Sequence, residues 1–401
     1  MDIIKRIKQL ASDNFPEIIS IRRHIHAHPE LSFEEVETSA FICRTLDQWG
    51  IPYKKGIAGN GIVAVLEGKH TGRTIAFRAD IDALPINELN DLPFRSVNTG
   101  KMHACGHDVH TSSLLGAVRI LRDLKDTWNG TIKFVFQPGE EKIPGGASLM
   151  LKEDLFSPNE PEIIIAQHVF PDMEVGNVGF KSGQYMASSD EIYITVNGKG
   201  GHAALPERLI DPVLISAHLI TSLQQIVSRY AKPGLPTVLS FGKVEANGAV
   251  NVIPDSVRIE GTFRTMNEEW RKRAHELIRK ISTEVTSGMG GSADIEIRHG
   301  YPVLTNNSEV TQQARTFAEE FLGMDKVHEL ETRMTAEDFA YFAQKYPATM
   351  FRLGTSDPGK PGSALHTPTF KVNEDAIELS MGLLAFMAVS FLDQNSQNIK
   401  G

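Results

Sequence analysis

From Asp13 to about Phe180 the apolar positions follow two alternating styles. Stretches repeating every three to four residues, at 15–27, 36–49 and 109–124, predict helices. Between them, short runs rich in β-branched and aromatic residues, at 61–66, 74–78, 131–136 and 163–166, predict strands. That alternation predicts an α/β layer with a mostly parallel, buried sheet flanked by helices. From about 182 to 299 the style changes: strands at 191–196, 237–244, 257–263 and 294–298 are separated by helices at 212–230 and 268–287. The order β-α-β-β-α-β is that of a ferredoxin-like α+β unit. A helix at 308–321, a strand at 350–353 and a helix at 374–391 then return to the first style. The expected organisation is a discontinuous domain of residues 1–181 and 300–401 carrying a smaller domain, 182–299, inserted into it. Gly288-Met-Gly-Gly-Ser292 reads as a turn rather than a phosphate loop, because a strand pattern and not a helix follows it.

Length supports two domains, since 401 residues exceed what one core accommodates and 41% apolar residues can fill two. A net charge of -9 with no basic run argues against a nucleic-acid partner. The segment Met1-Asp-Ile-Ile-Lys-Arg-Ile-Lys8 lacks the unbroken apolar core of a signal peptide, and no stretch is expected to approach transmembrane length. A soluble cytoplasmic protein with no membrane partner is expected.

Candidate chemistry begins with the cysteines. There are only two, so the chain is not a disulfide scaffold, and Cys105 in His103-Ala-Cys105-Gly-His107-Asp108 reads as a metal or catalytic site. Further polar residues stand at the ends of apolar runs: Glu140 and Glu141 after 131–136, His168 after 163–166, and His366 in a loop beyond 350–353. Strand ends and loops are where open α/β sheets assemble sites. Taken singly, each residue has a plainer reading. With fourteen histidines, any one is more often structural than a ligand, and His24, His26, His28, His70 and His218 are left in that class. A lone cysteine is usually a small buried hydrophobe. Two adjacent glutamates, however, repel unless a cation compensates them.

Arg78-Ala-Asp80-Ile-Asp82-Ala-Leu-Pro85, Met102-His-Ala-Cys105-Gly-His107-Asp108, Pro138-Gly-Glu140-Glu141, Gln167-His168-Val169, Gly200-Gly-His202-Ala-Ala-Leu-Pro206 and Leu365-His366-Thr-Pro-Thr-Phe370 together resemble the M20 metallopeptidase superfamily. The similarity is greatest to its amidohydrolase branch of aminoacylases, hippurate hydrolases, N-acetyl-diaminopimelate deacetylases and auxin-conjugate hydrolases, and it runs in order from about Arg22 to Phe370. Gln167 departs from the small or apolar residue expected there, a change expected to bear on pocket polarity.

The resemblance implies a pair of divalent ions, Mn or Zn, held by Cys105, His107, Glu141, His168 and His366, with Cys105 bridging. Such pairs sit about 3.5–4 Å apart and clamp both the attacking and the carbonyl oxygen. It further implies Glu140 as general base, His202 polarising the scissile carbonyl, and Asn251 and Arg264 holding a substrate carboxylate, for which a guanidinium fork is suited. Asp80 is expected to orient a ligand from behind, with Asp82 nearly as suitable. The expected activity is hydrolysis of N-acyl amino acids or small peptides, and a homodimer through the inserted domain is plausible. A metal-independent cysteine hydrolase using Cys105 and His107 leaves Glu140, Glu141, His168 and His366 unused. A non-catalytic metal-binding protein would be favoured if a ligand or the base were missing; none is.

Overall fold

The computed structural model describes residues 2–393. The chain forms two compact units, one of residues 1–183, 305–331 and 338–401, the other of 184–304 and 332–337. The short return of 332–337 to the second unit has no counterpart in the hydrophobic pattern.

The first unit is built on an eight-stranded sheet in the order Tyr53–Ile57, Gly61–Glu67, Thr131–Gln137, Thr74–Asp80, Ile163–Glu174, Ala348–Ser356, Val178–Phe180, Val327–Glu329. Its four central strands, Thr131–Gln137 to Ala348–Ser356, run parallel. Three of them are buried along almost their whole length and Ile163–Glu174 as far as Val169, as strands covered on both faces must be. Antiparallel pairings enter only toward the edges. The edge strands Tyr53–Ile57 and Val327–Glu329, and Val178–Phe180 beside the latter, are too short for a periodic signal and are not legible in the sequence. Ile163–Glu174 outruns the predicted 163–166 because Ala348–Ser356 stays paired with it as far as Glu174, in register to Phe170 and with a register shift beyond. The first helix starts at Ile3 rather than near 15, since Asp2 caps it by accepting from the Ile4 N–H.

Helices Ile3–Ala27, His107–Asp123 and Asp375–Asp393 pack together in the same apolar core. The last is long and apolar enough to cross a membrane by length and composition, which corrects the sequence expectation. Its apolar surface has another use, however: 78% of the window is buried, with Met381, Leu384, Met387 and Phe391 in the core.

The second unit carries a four-stranded antiparallel sheet in the order Thr237–Glu245, Ser256–Thr265, Asp190–Asn197, Ser292–His299. Asp190–Asn197 alternates strictly between buried and half-buried positions, the pattern of a sheet with one covered face. Ile192, Ile194 and Val196 meet Ile215 and Leu219 of helix Pro212–Leu223 and Ala274 and Ile278 of helix Glu268–Gly288 in a separate core. The helix predicted over 212–230 leaves α geometry after Leu223 and closes with a π turn, Ile226–Tyr230.

Candidate metal centre

Five segments of the first unit meet beyond the carboxyl ends of its parallel strands. Thr74–Asp80 leads to Asp82, and Cys105 precedes the helix that opens at His107. Between them Gly106 has φ 83°, and a Cβ there would lie 2.6 Å from Val169, so only glycine fits. Thr131–Gln137 runs into Gly139-Glu140-Glu141, where Gly139 has φ 62° and lies against the Phe33 ring. His168 lies inside its strand, not at the end as the sequence suggested. His366 arrives on the loop after Ala348–Ser356 with φ 58°, its N–H donating to Ala104 O at 2.8 Å.

Cys105 Sγ is 3.4 Å from Nε2 of His168 and 3.4 Å from Nε2 of His366. Glu141 Oε1 is 3.2 Å from His366 Nε2 and 3.9 Å from His107 Nε2. The donor atoms form two groups sharing the thiol, Cys105–His107–His168 and Cys105–Glu141–His366, and Glu140 lies with His107 and Glu141 in a third. All five residues predicted as ligands are thus brought together, with Glu140 beside them.

These atoms suit a cation. His107 Nδ1 donates to Asp82, at 2.9 Å to its carbonyl and 3.1 Å to Oδ1, and His168 Nδ1 donates to Val169 O at 2.8 Å. Because a carbonyl only accepts, each ring is fixed with Nε2 turned inward as the ligating nitrogen. His107 Nε2 and Glu141 Oε1 are buried without a hydrogen-bond partner, an arrangement that is costly unless something positive occupies the space between. Charge points the same way. Burial opposes protonation of His107, yet Asp80, Asp82 and Glu141 push its pKa up to about 10. Burial, then Glu141, Glu140 and Asp80, push the Cys105 thiol well up, the reverse of an activated nucleophile. Burial and Arg352 hold His168 neutral. A surplus of carboxylate around a thiol and imidazoles is what divalent ions neutralise, displacing protons as they bind.

Asp82, not Asp80, contacts the Nδ1 of His107. Asp82 Oδ1 holds the His107 ring, while Oδ2 accepts from the Glu141 N–H at 3.0 Å and from Ser32 Oγ at 2.7 Å. One carboxylate thereby sets two ligands. Asp80 bonds His110 Nδ1 at 2.6 Å and Arg78 Nη1 at 2.7 Å, and faces His107 Nε2 at 3.6 Å. His110 in turn accepts from the Val169 N–H at 2.9 Å, bracing the segment after His168. Sequence reasoning missed it, although its place three residues after His107 puts both on one helix face. Gln167 does not line the site: its Oε1 accepts from Ser380 Oγ of the core helix, since alternation along the strand turns it away from His168.

In the second unit, exposed His202 belongs to the two-residue strand Gly201–His202, paired with Val252–Ile253. The Ala203 N–H donates to Asn251 O at 3.0 Å, so His202 and Asn251 are neighbours. Arg264, half-buried on Ser256–Thr265, donates to Met334 O at 3.2 Å.

Residues 76–389 match the model of peptidase family M20/M25/M40. The chain is 37% identical over 382 residues to the N-acetyl-L-cysteine deacetylase of Bacillus subtilis, covering 95% of this chain and 90% of that one. It is 40% identical over 305 residues to the N-acyl-L-amino acid amidohydrolase of Geobacillus stearothermophilus, covering 76% and 82%. Its fold matches a dinuclear metal-binding M20 peptidase of Bacillus subtilis with a TM-score of 0.80 at 33% identity, covering 95% and 99%. The chain belongs to the M20 family. It is a metallo-amidohydrolase whose site takes two divalent ions.

Proposed function

We propose that the enzyme hydrolyses the amide bond of N-acyl amino acids or small peptides, with two divalent ions, manganese or zinc, held by Cys105, His107, Glu141, His168 and His366. The observation that carries this reading is the Cys105 thiol shared between two donor groups with the Glu140 carboxylate alongside. The names of the two bacterial relatives support the substrate class. Thiolate and imidazoles favour zinc, whereas the carboxylate tolerates manganese.

Bound divalent ions acidify water and polarise a carbonyl oxygen. The chain's own residues manage the protons and the substrate. Glu140 accepts a proton from the attacking water and returns it to the leaving nitrogen, so that a neutral amine departs. His202 donates to the carbonyl oxygen as negative charge develops there. Arg264 and Asn251 hold the free carboxylate of the amino-acid part. Residues 182–299 act as the lid and dimerisation domain, and the enzyme works in the cytoplasm.

Arg264→Ala tests the substrate class. Loss of a charge-assisted bond of about 1.5–3 kcal/mol should cut hydrolysis of N-acetyl amino acids by about 10- to 100-fold. The matching amides without a carboxylate should change little, and metal content should stay constant. His202→Ala should depress both substrates. Equal losses for both substrates in Arg264→Ala would remove the carboxylate clamp.

A further inference from the structure

Asp108 and His26 are buried ionisable residues with no place in the ligand set or the proton transfers, and His26 is one the sequence leaves among structural histidines. Their partners connect three distant parts of the chain. Asp108 lies in the first turn of the helix that begins at His107, and its Oδ2 is met by Arg22 Nε and His26 Nδ1, each at 2.8 Å. Arg22 and His26 stand four residues apart on one helix face, and both are buried. His26 Nε2 reaches on to Glu88 Oε1 at 3.2 Å, and Arg22 Nη1 to Glu374 Oε1 at 3.1 Å. Bonding a carboxylate at each nitrogen requires the imidazolium. Burial and Arg22 oppose that charge, but Asp108 and Glu88 outweigh them and raise its pKa.

Glu88 and Glu374 flank the His366 loop. Glu88 fixes Asn90, whose Nδ2 also donates to Phe370 O at 2.8 Å, and the neighbouring Leu89 N–H donates to Pro368 O at 2.8 Å. Glu374 closes the loop's far end. The loop needs such support: the His366 side chain is half exposed, so packing does not fix it, and its backbone is left-handed, an uncommon conformation for a residue other than glycine.

We infer that Arg22 and His26 are positioning residues that hold His366 in register with Cys105 and His107, tying Asp108 on one side to the Glu88 and Glu374 ends of the His366 loop on the other. The inference rests on the two-ion reading of the site. It makes the affinity of the Cys105–Glu141–His366 group depend on a cluster that touches no ligand side chain, while the Cys105–His107–His168 group, anchored by Asp82 and Val169, depends on it less.

The test is calorimetric titration of the metal-stripped full-length chain with Zn²⁺ alone, followed by the thiolate-to-metal absorption of the Co²⁺-loaded protein. His26→Ala should weaken one of two binding events by about ten- to hundredfold, the range expected for loss of outer support to a ligand, with a shifted Co²⁺ band. Asn90→Ala, on a loop and safe for folding, should weaken the same event less. Wild-type affinities and spectrum in both variants, with only a lower Tm, would overturn the inference and leave the two-ion reading standing. A wild-type chain that binds no Zn²⁺ would remove that reading and this inference with it.

Discussion

Glu140→Gln is expected to keep both metal ions and lose about 10²- to 10⁴-fold in turnover. The amide preserves the shape of a buried side chain beside His107 and Glu141 but cannot accept the water's proton. Glu141→Gln should behave differently, because its Oε1 is the atom facing His366 and His107, so its loss removes a ligand rather than a base. Metal analysis and steady-state kinetics on the two variants separate the roles. If Glu140→Gln lost an ion while Glu141→Gln kept both, the assignments would have to be exchanged.

Cys105→Ala should be the most damaging single ligand change. The thiol belongs to both groups that share it, whereas His168 belongs only to the first, His366 only to the second, and Glu141 to the second and to the group with His107 and Glu140. Removing it should deplete both ions together and reduce turnover at least as far as Glu140→Gln does. His168→Ala and His366→Ala should each deplete one. Elemental analysis of the purified variants checks this, and retention of two ions by Cys105→Ala would dismiss its bridging position.

The residues that meet at the candidate centre were legible because each lies beside a strong apolar run or a helix start, and strand ends are where such sheets present chemistry. The alternation of Asp190–Asn197 and the two helices that cover it made the second unit's element order readable in the same way. What stayed hidden was pairing at a distance. Nothing local tells Asp80 from Asp82, two residues apart at the end of one strand; only the return of His107 to Asp82 does. Gln167 looked like a pocket residue until Ser380, 213 positions away, proved to be its partner. Arg22 and His26 form a helix-face pair like any other until Asp108, Glu88 and Glu374 surround them. Composition likewise could not separate a core helix from a membrane helix at Asp375–Asp393, because the difference lies in what covers it.

The central claim is that two divalent ions at the Cys105 centre are required for amide hydrolysis. Turnover of an N-acetyl amino acid should be measured on one preparation stripped by a chelator, verified as metal-free, and then titrated with Mn²⁺ or Zn²⁺. The account predicts no activity without metal and recovery that saturates at two ions per chain. Full activity in the verified metal-free protein would contradict it.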